Sequence, residues 1–268
     1  MLPTQKKSPV AAKKTVSKKK VAKQTRSKPK ATDEKASAKA APGSPFRKEM
    51  FQFLGELGLN NEREWFQANK ARYESDVREP ALEFIRQFGR RLPKFSKHYA
   101  ALDKKVGGSL MRVHRDTRFA KDKTPYKTNV GIHFRHAVGK DVHAPGLYVH
   151  IEVDEIFLGA GMWHPEAEAL ANIRRNIVES SAKWQRVSRN EDMLASWEAT
   201  GDTLKRPPRG FDAEHPFIDD LRRKDHIVIT KLAAKELFAR DAVDRIFAKF
   251  MQTRPYVRFL TESQGLPF

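Results

Sequence analysis

Between residues 128 and 162 the chain alternates apolar and polar side chains three times, and this constrains the fold more than any other feature. In "TNVGIHFRH" Val130, Ile132 and Phe134 alternate with Asn129, Gly131, His133 and Arg135. In "GLYVHIEVD" Leu147, Val149, Ile151 and Val153 alternate with Tyr148, His150, Glu152 and Asp154, and "EIFLGAGMW" continues with Ile156, Leu158, Ala160 and Met162. A period of two puts successive side chains on opposite faces, so each stretch reads as a strand with one apolar face. A two-residue turn at Asp154-Glu155 makes the last two an antiparallel hairpin, although Asp-Glu is a poor pair for such a turn.

A register follows. Facing Ile132 with Val149 and Val149 with Ala160 keeps the apolar residues on one side. On the other side it sets Gly131 and Gly159 opposite His150, and Gly161 opposite Tyr148. Glycine weakens a strand and marks the close approach of a ligand or another backbone. Two readings stay open: a shallow depression framed by His133, Tyr148 and His150, or a helix packed closely on the glycines.

The flanks of these strands read as helical. In residues 46–92 the pattern gives three helices, the second opening at Asn61 with Glu64 three residues later as an N-cap signal. Phe66, Tyr73 and Val77 line one side, followed by Leu82, Ile85, Phe88 and Leu92. Downstream, Pro165 starts a helix bearing Ala167, Leu170, Ile173 and Ile177. "HIVITKL" is a further buried strand, and "AKELFARDAVDRIFAKFM" is an amphipathic helix. The expected fold is α+β, with N-terminal helices, a central antiparallel sheet carrying a long basic loop, and C-terminal helices in one domain over residues 45–268. With 268 residues, 39% of them apolar, the chain is long enough for a substantial core.

Residues 1–44 have a different texture. They hold 13 Lys or Arg against two acidic residues, no aromatic residue, and mostly Lys, Ala, Ser, Thr and Pro, while the whole chain carries a net +19. Such a segment cannot bury enough surface to offset its ordering entropy, so a disordered basic arm is expected. It resembles the Lys/Ala/Pro tails of linker-histone-like proteins, and its charge suits salt-sensitive nucleic-acid contact. The chain has no Cys, which excludes disulfides, thiolate metal sites and a Cys nucleophile and fits a reducing compartment. No run of about 18 apolar residues marks a membrane span, and the N-terminus lacks the apolar stretch of a secretory signal. A cytoplasmic protein without a membrane partner is expected.

The segment leading into the first alternating stretch, "RVHRDTRFAKDKTPYK", carries Arg112, Arg115, Arg118, Lys121, Lys123 and Lys127 against only Asp116 and Asp122. "SLMRVHRD" alternates well enough for a strand, and "TRFAKDKTPY" has the composition of a loop. Two acids cannot neutralise six cations, so a surplus faces water or an anion, and Arg offers a planar fork suited to phosphate or carboxylate. Arg112 shares its parity with His114, whereas Arg115 points with Met111 and Val113. At least two of Arg112, Arg115 and Arg118 are therefore expected to contact the anion, Arg112 rather than Arg115 among them, with Lys121, Lys123 and Lys127 raising the local potential and Asp116, Asp122 and Tyr126 in support. Lys205, Arg206 and Arg209, stiffened by Pro207 and Pro208, together with Arg222, Arg223 and Lys224, complete a phosphate-binding cleft if they face that loop. The alternative is a solvated basic surface.

No phosphate-loop, dinucleotide, nucleophile-elbow or zinc-protease motif is present, so no cofactor is predicted. His114, His133, His150 and Glu152 lack a diagnostic ligand spacing, and no metal is predicted. Acid–base chemistry by His133 or His150 with Tyr148 or Asp116 has no motif behind it. The strings "NNEREWFQANKARYE", "GGSLMRVHRDTRFAKDKTPYKTNVGIHFRH", "APGLYVHIE", "GAGMWHPEAEALANIR", "LKRPPRGFDAEHP" and "DLRRKD" together resemble the family grouped as domain of unknown function 2461, from about Phe46 to Leu260. The resemblance implies membership but no catalytic residue, and the basic arm lies outside it.

Three function classes follow: a protein binding a phosphate-bearing or other anionic ligand and tethered to nucleic acid by its arm, an enzyme acting on a small phosphorylated substrate, or a structural partner-binding domain. Because the arm holds no core-forming residue, deleting residues 1–44 is expected to leave the melting temperature nearly unchanged while weakening non-specific DNA or RNA binding. Elution from a DNA matrix across a salt gradient checks this, since equal retention of both forms contradicts a tether.

Overall fold

The computed structural model describes residues 43–138 and 145–268; the basic arm lies outside them. The described residues form a six-stranded antiparallel sheet in the order β1-β2-β3-β4-β6-β5. The strands are β1 (Tyr99–Ala100), β2 (Val130–His136), β3 (Gly146–Ile151), β4 (Ile156–Met162), β5 (Glu198–Thr200) and β6 (His226–Lys231). Helices precede and follow it in the chain, so the fold is α+β as the patterning requires. No helix among the described residues is long and apolar enough to cross a membrane.

Alternation decides which face is covered. Ile132, Phe134, Leu147, Val149, Ile151, Leu158 and Val228 are buried together in the core. The Glu79–Gly89 helix packs on β2, the Arg254–Ser263 helix on β4, and the Ala242–Gln252 helix on the Glu79–Gly89 helix. Phe88 lies flat on Phe134, with ring centroids 4.4 Å apart. β6 follows β5 in the chain but inserts between it and β4, which gives the expected "HIVITKL" strand two partners. The expected helix over 234–251 is two pieces, Ala234–Leu237 and Ala242–Gln252.

Three local expectations are corrected. In the hairpin the Glu152 N–H donates to the Glu155 carbonyl at 2.9 Å, so Val153-Asp154, not Asp154-Glu155, forms the turn. A turn shifted by one residue shifts the register by two, so Val149 faces Leu158 rather than Ala160 while every side chain keeps its face. Second, the helix expected from Asn61 runs Arg63–Ala68 without a side-chain cap. Asn61 is used elsewhere: its Oδ1 accepts the Tyr126 N–H at 3.0 Å and its Nδ2 donates to the Tyr126 carbonyl at 2.9 Å. Third, 109–115 is no continuous strand. Leu110 bridges Ile132, and the segment then turns off the sheet edge to pair His114 with Tyr126.

That last pairing shapes the basic loop. The Lys127 N–H reaches the Val113 carbonyl at 2.8 Å and the Arg115 N–H the Pro125 carbonyl at 2.9 Å. Tyr126 is buried and stacks on Phe66 at 4.0 Å. The feet of the loop are thereby fixed to both sheet and helices.

On the covered face, His226 is fully buried beside Trp184, and neither ring nitrogen has a hydrogen-bond partner among the described residues. Burial, with Arg223 and Arg174 adding positive charge nearby, pushes its pKa down to about 3. The folded protein holds this imidazole neutral, while the unfolded chain protonates it near pH 6.5. Its contribution is complete above about pH 6.5 and is lost as pH falls below that value. Between pH 6.5 and 4.5 the wild type is expected to lose about 2 kcal/mol more unfolding free energy than a His226→Leu variant. Urea denaturation at both pH values checks this; parallel profiles contradict it.

Candidate functional site

The face of the sheet away from these helices is set by residues of the other parity. Gly131 and His133 on β2, Tyr148 and His150 on β3, Phe157, Gly159 and Gly161 on β4, and Ile227 and Ile229 on β6 share it. Over its centre lies a cleft of about 580 Å³. Gly159 is its floor: a Cβ there meets only Tyr148, at ordinary contact distance. Phe157, Ile227 and Ile229 give an apolar bed, Met111 and Lys127 form one side, and Trp163 and Thr200 form another. The depression of the two open readings is therefore the one the structure has.

The corrected register changes the pairs across the floor. Gly131 does face His150, but Gly159 faces Tyr148, Gly161 faces Gly146, and Phe157 stands opposite His150. The Phe157 and His150 rings stack at 4.5 Å and 12°. A side chain at Gly146 would overlap the ring of His133, which also lines the cleft.

Tyr148, His150 and Glu152 follow one another at two-residue spacing on this face and make a hydrogen-bonded chain. Tyr148 Oη lies 3.2 Å from His150 Nδ1, and His150 Nε2 lies 3.3 Å from Glu152 Oε2. Glu152 Oε1 accepts from the Thr128 hydroxyl at 2.7 Å. A carboxylate accepting the Nε2–H leaves Nδ1 to accept, from the Tyr148 hydroxyl and from Asn129 Nδ2 at 3.3 Å. Burial, followed by the Glu152 charge, raises the Tyr148 pKa to about 12. At neutral pH the phenol therefore keeps its proton and acts as a hydrogen-bond donor. Among the described residues no group of three or more His, Cys, Asp or Glu is placed to hold a metal ion.

The basic residues divide. Arg115 bonds Asp122 and Thr124, Arg118 forks onto Asp116 at 2.7 and 3.0 Å, and Lys123 donates to the Thr117 carbonyl at 2.9 Å. The hydrogen bonds from Arg118 and Arg115 bring the Asp116 and Asp122 carboxyls down to about 2. Arg112 and Lys121 are exposed. Among the described residues that line the cleft, Lys127 is the only Lys or Arg, and burial, then the nearby Arg112 charge, lowers its pKa.

The second basic stretch is elsewhere. Arg222 donates to the Leu204 and Lys205 carbonyls at 2.9 and 2.7 Å, and Arg223 to the Thr200 carbonyl. These guanidinium groups brace the loop after β5. Lys205, Arg206 and Arg209 are exposed beyond that edge strand and do not line the cleft, whereas 109–127 lies along the β1 side of β2. The basic segments do not converge there. Sequence reasoning missed Trp163, Phe157, Ile227 and Ile229. The available signal was "HIVITKL", apolar at both parities, and a Trp directly after a Gly-rich strand.

The floor glycines separate by substitution. Gly161 has φ +124°, and a Cβ would collide with the His226 carbonyl, so Gly161→Ala is expected to cost at least about 1–3 kcal/mol. Gly159→Ala is expected to change stability by less than about 0.5 kcal/mol, its methyl entering the cleft. Urea denaturation of both variants checks the assignment.

No curated protein and no solved structure matches the chain. The family model for "Conserved hypothetical protein (DUF2461)" matches residues 49–259, a span containing every residue of this cleft, and the chain belongs to that family.

Proposed function

We propose that residues 45–268 act as one domain that binds, in the glycine-floored cleft, a small organic molecule bearing an anionic group such as phosphate. Lys127 carries this reading: a half-buried cation, with its pKa lowered by burial, beside an otherwise largely apolar bed. Desolvating an ammonium is costly, and an anion seated against it offsets that cost. Tyr148, Phe157 and the β6 isoleucines take the body of the ligand. Arg112, exposed and close enough to act on Lys127, raises the potential at the entrance.

A second reading, an enzyme acting on the same molecule, is favoured by the Tyr148–His150–Glu152 chain. Tyr148 would turn its hydroxyl from His150 to the ligand, transfer its proton there and take one back from solvent, while His150, oriented by Glu152, holds the phenol in place. The arm is assigned to nucleic-acid contact on its charge alone, and the absence of Cys supports a cytoplasmic setting.

Calorimetric titration with inorganic phosphate, citrate and AMP tests the binding reading. Lys127→Met is expected to weaken binding at least tenfold, about 1.4 kcal/mol, and Lys127→Arg to retain most of it. Because the Lys127 pKa is lowered, affinity is expected to fall as pH rises, starting below the ordinary lysine value of about 10.4. Absence of binding by all three probes at millimolar concentration, or equal binding by Lys127→Met, overturns the reading.

A further inference from the structure

Where β4 ends, the chain makes a costly corner. Gly161 adopts φ +124°, and three residues later His164 adopts φ +45°, the one non-glycine residue with positive φ among those described. A side chain in that region of backbone space persists only when its surroundings hold it there. Here the holder is Asp225, a buried carboxylate just before β6. Its Oδ1 accepts the His164 N–H at 2.6 Å and lies 3.5 Å from His164 Nδ1, while its Oδ2 accepts the Asp202 N–H at 2.9 Å.

Between Gly161 and the strained His164 stands Trp163. The residue is 51% exposed, with the His164 ring 4.3 Å from the indole, and it lines the cleft. Leaving the largest side chain half open to water forfeits the burial that normally stabilises it, and the corner that does so is itself strained. A flat ring lying on the indole recovers that burial, while the strain at His164 is the cost of presenting the indole there. Trp163 follows Met162 at the end of β4, whereas Lys127 precedes β2, whose first residue faces Ile151 beside the start of β4. The register thus sets indole and ammonium at different corners of one cleft, with the Gly159 floor between them.

We infer that the ligand of this cleft carries a planar aromatic ring that stacks on Trp163 and, at a separate point, the anionic group that meets Lys127, which is the chemical class of a nucleotide. This rests on the binding reading above and adds the ring to it. Asp225 is a positioning residue, since it touches His164 and not the cleft.

The test compares AMP and UMP with ribose 5-phosphate, which carries the same phosphoester but no base, on the full chain by calorimetry. AMP and UMP are expected to bind at least tenfold more tightly than ribose 5-phosphate. Trp163→Ala is expected to abolish that preference without changing ribose 5-phosphate binding, and Trp163→Phe to keep part of it. AMP is also expected to quench tryptophan fluorescence in the wild type and not in Trp163→Phe. If the nucleotides and ribose 5-phosphate bind alike, and Lys127→Met weakens all three while Trp163→Ala weakens none, the ring inference fails and the anion reading stands. If none of the three binds at millimolar concentration, both fail.

Discussion

The two-residue period of β2, β3 and β4 is the constraint on which the rest of the molecule depends. Once Ile132, Val149 and Leu158 lie in one row, the covered face is apolar enough to hold the Glu79–Gly89 and Arg254–Ser263 helices. The other face is then left with Tyr148, His150, Phe157 and glycine. Ordinary solvent-facing strands carry Lys, Glu or Thr there. A bed with so few solvated side chains suits a ligand better than bulk water, and the absence of side-chain volume at Gly159 makes the cleft deep at its centre. The same glycines, by leaving the sheet thin, put the burden of its stability on the helical side, where Phe84, Phe88, Phe134 and Phe250 are wholly buried.

Charge in the basic loop is arranged to hold a shape first. A carboxylate that accepts from Arg118 or Arg115 restrains the chain around it, and both pairs lie where solvent screens them, so their net contribution to stability is small. What they do is select one conformation for 116–124, a stretch without regular secondary structure. With those guanidinium groups occupied, the cation that matters at the cleft is the residue where the loop rejoins the sheet. Lys127 is held there by the backbone bond to Val113 and by the Asn61 clamp on its neighbour Tyr126. The Asn61 clamp and the Tyr126–Phe66 stack thus join the helical layer to the loop and the cleft.

This explains how much was legible beforehand. Alternation names the strands and their faces without reference to anything distant, and it survives an error in the turn, because shifting the turn from Asp154-Glu155 to Val153-Asp154 moves the register by an even number. Tyr148, His133 and His150 were therefore placed on the right face from spacing alone. Long-range placement was not available in that way. Whether Arg206 and Arg209 reach the same cleft as Lys127 depends on β6 inserting between β4 and β5, and no local pattern encodes the order in which strands pair. Asn61 shows the same limit at smaller scale: its position before a helix fits a cap, but its side chain bonds a backbone 65 residues away.

The protonation states on the open face point in a consistent direction. Burial raises Tyr148 to about 12 and lowers Lys127, so the phenol is kept neutral while the lysine charge becomes harder to hold without a partner. An anion arriving at Lys127 relieves that second cost and has no effect on the first. A ligand therefore meets a donor that is already protonated, fixed by His150 on one side and wedged over Gly131 and beside Met111 on the other. On the proposed reading the binding energy comes from the lysine and the apolar bed, and the tyrosine hydroxyl, whose one proton is held by His150, must turn from that bond to serve an atom of the ligand that develops negative charge.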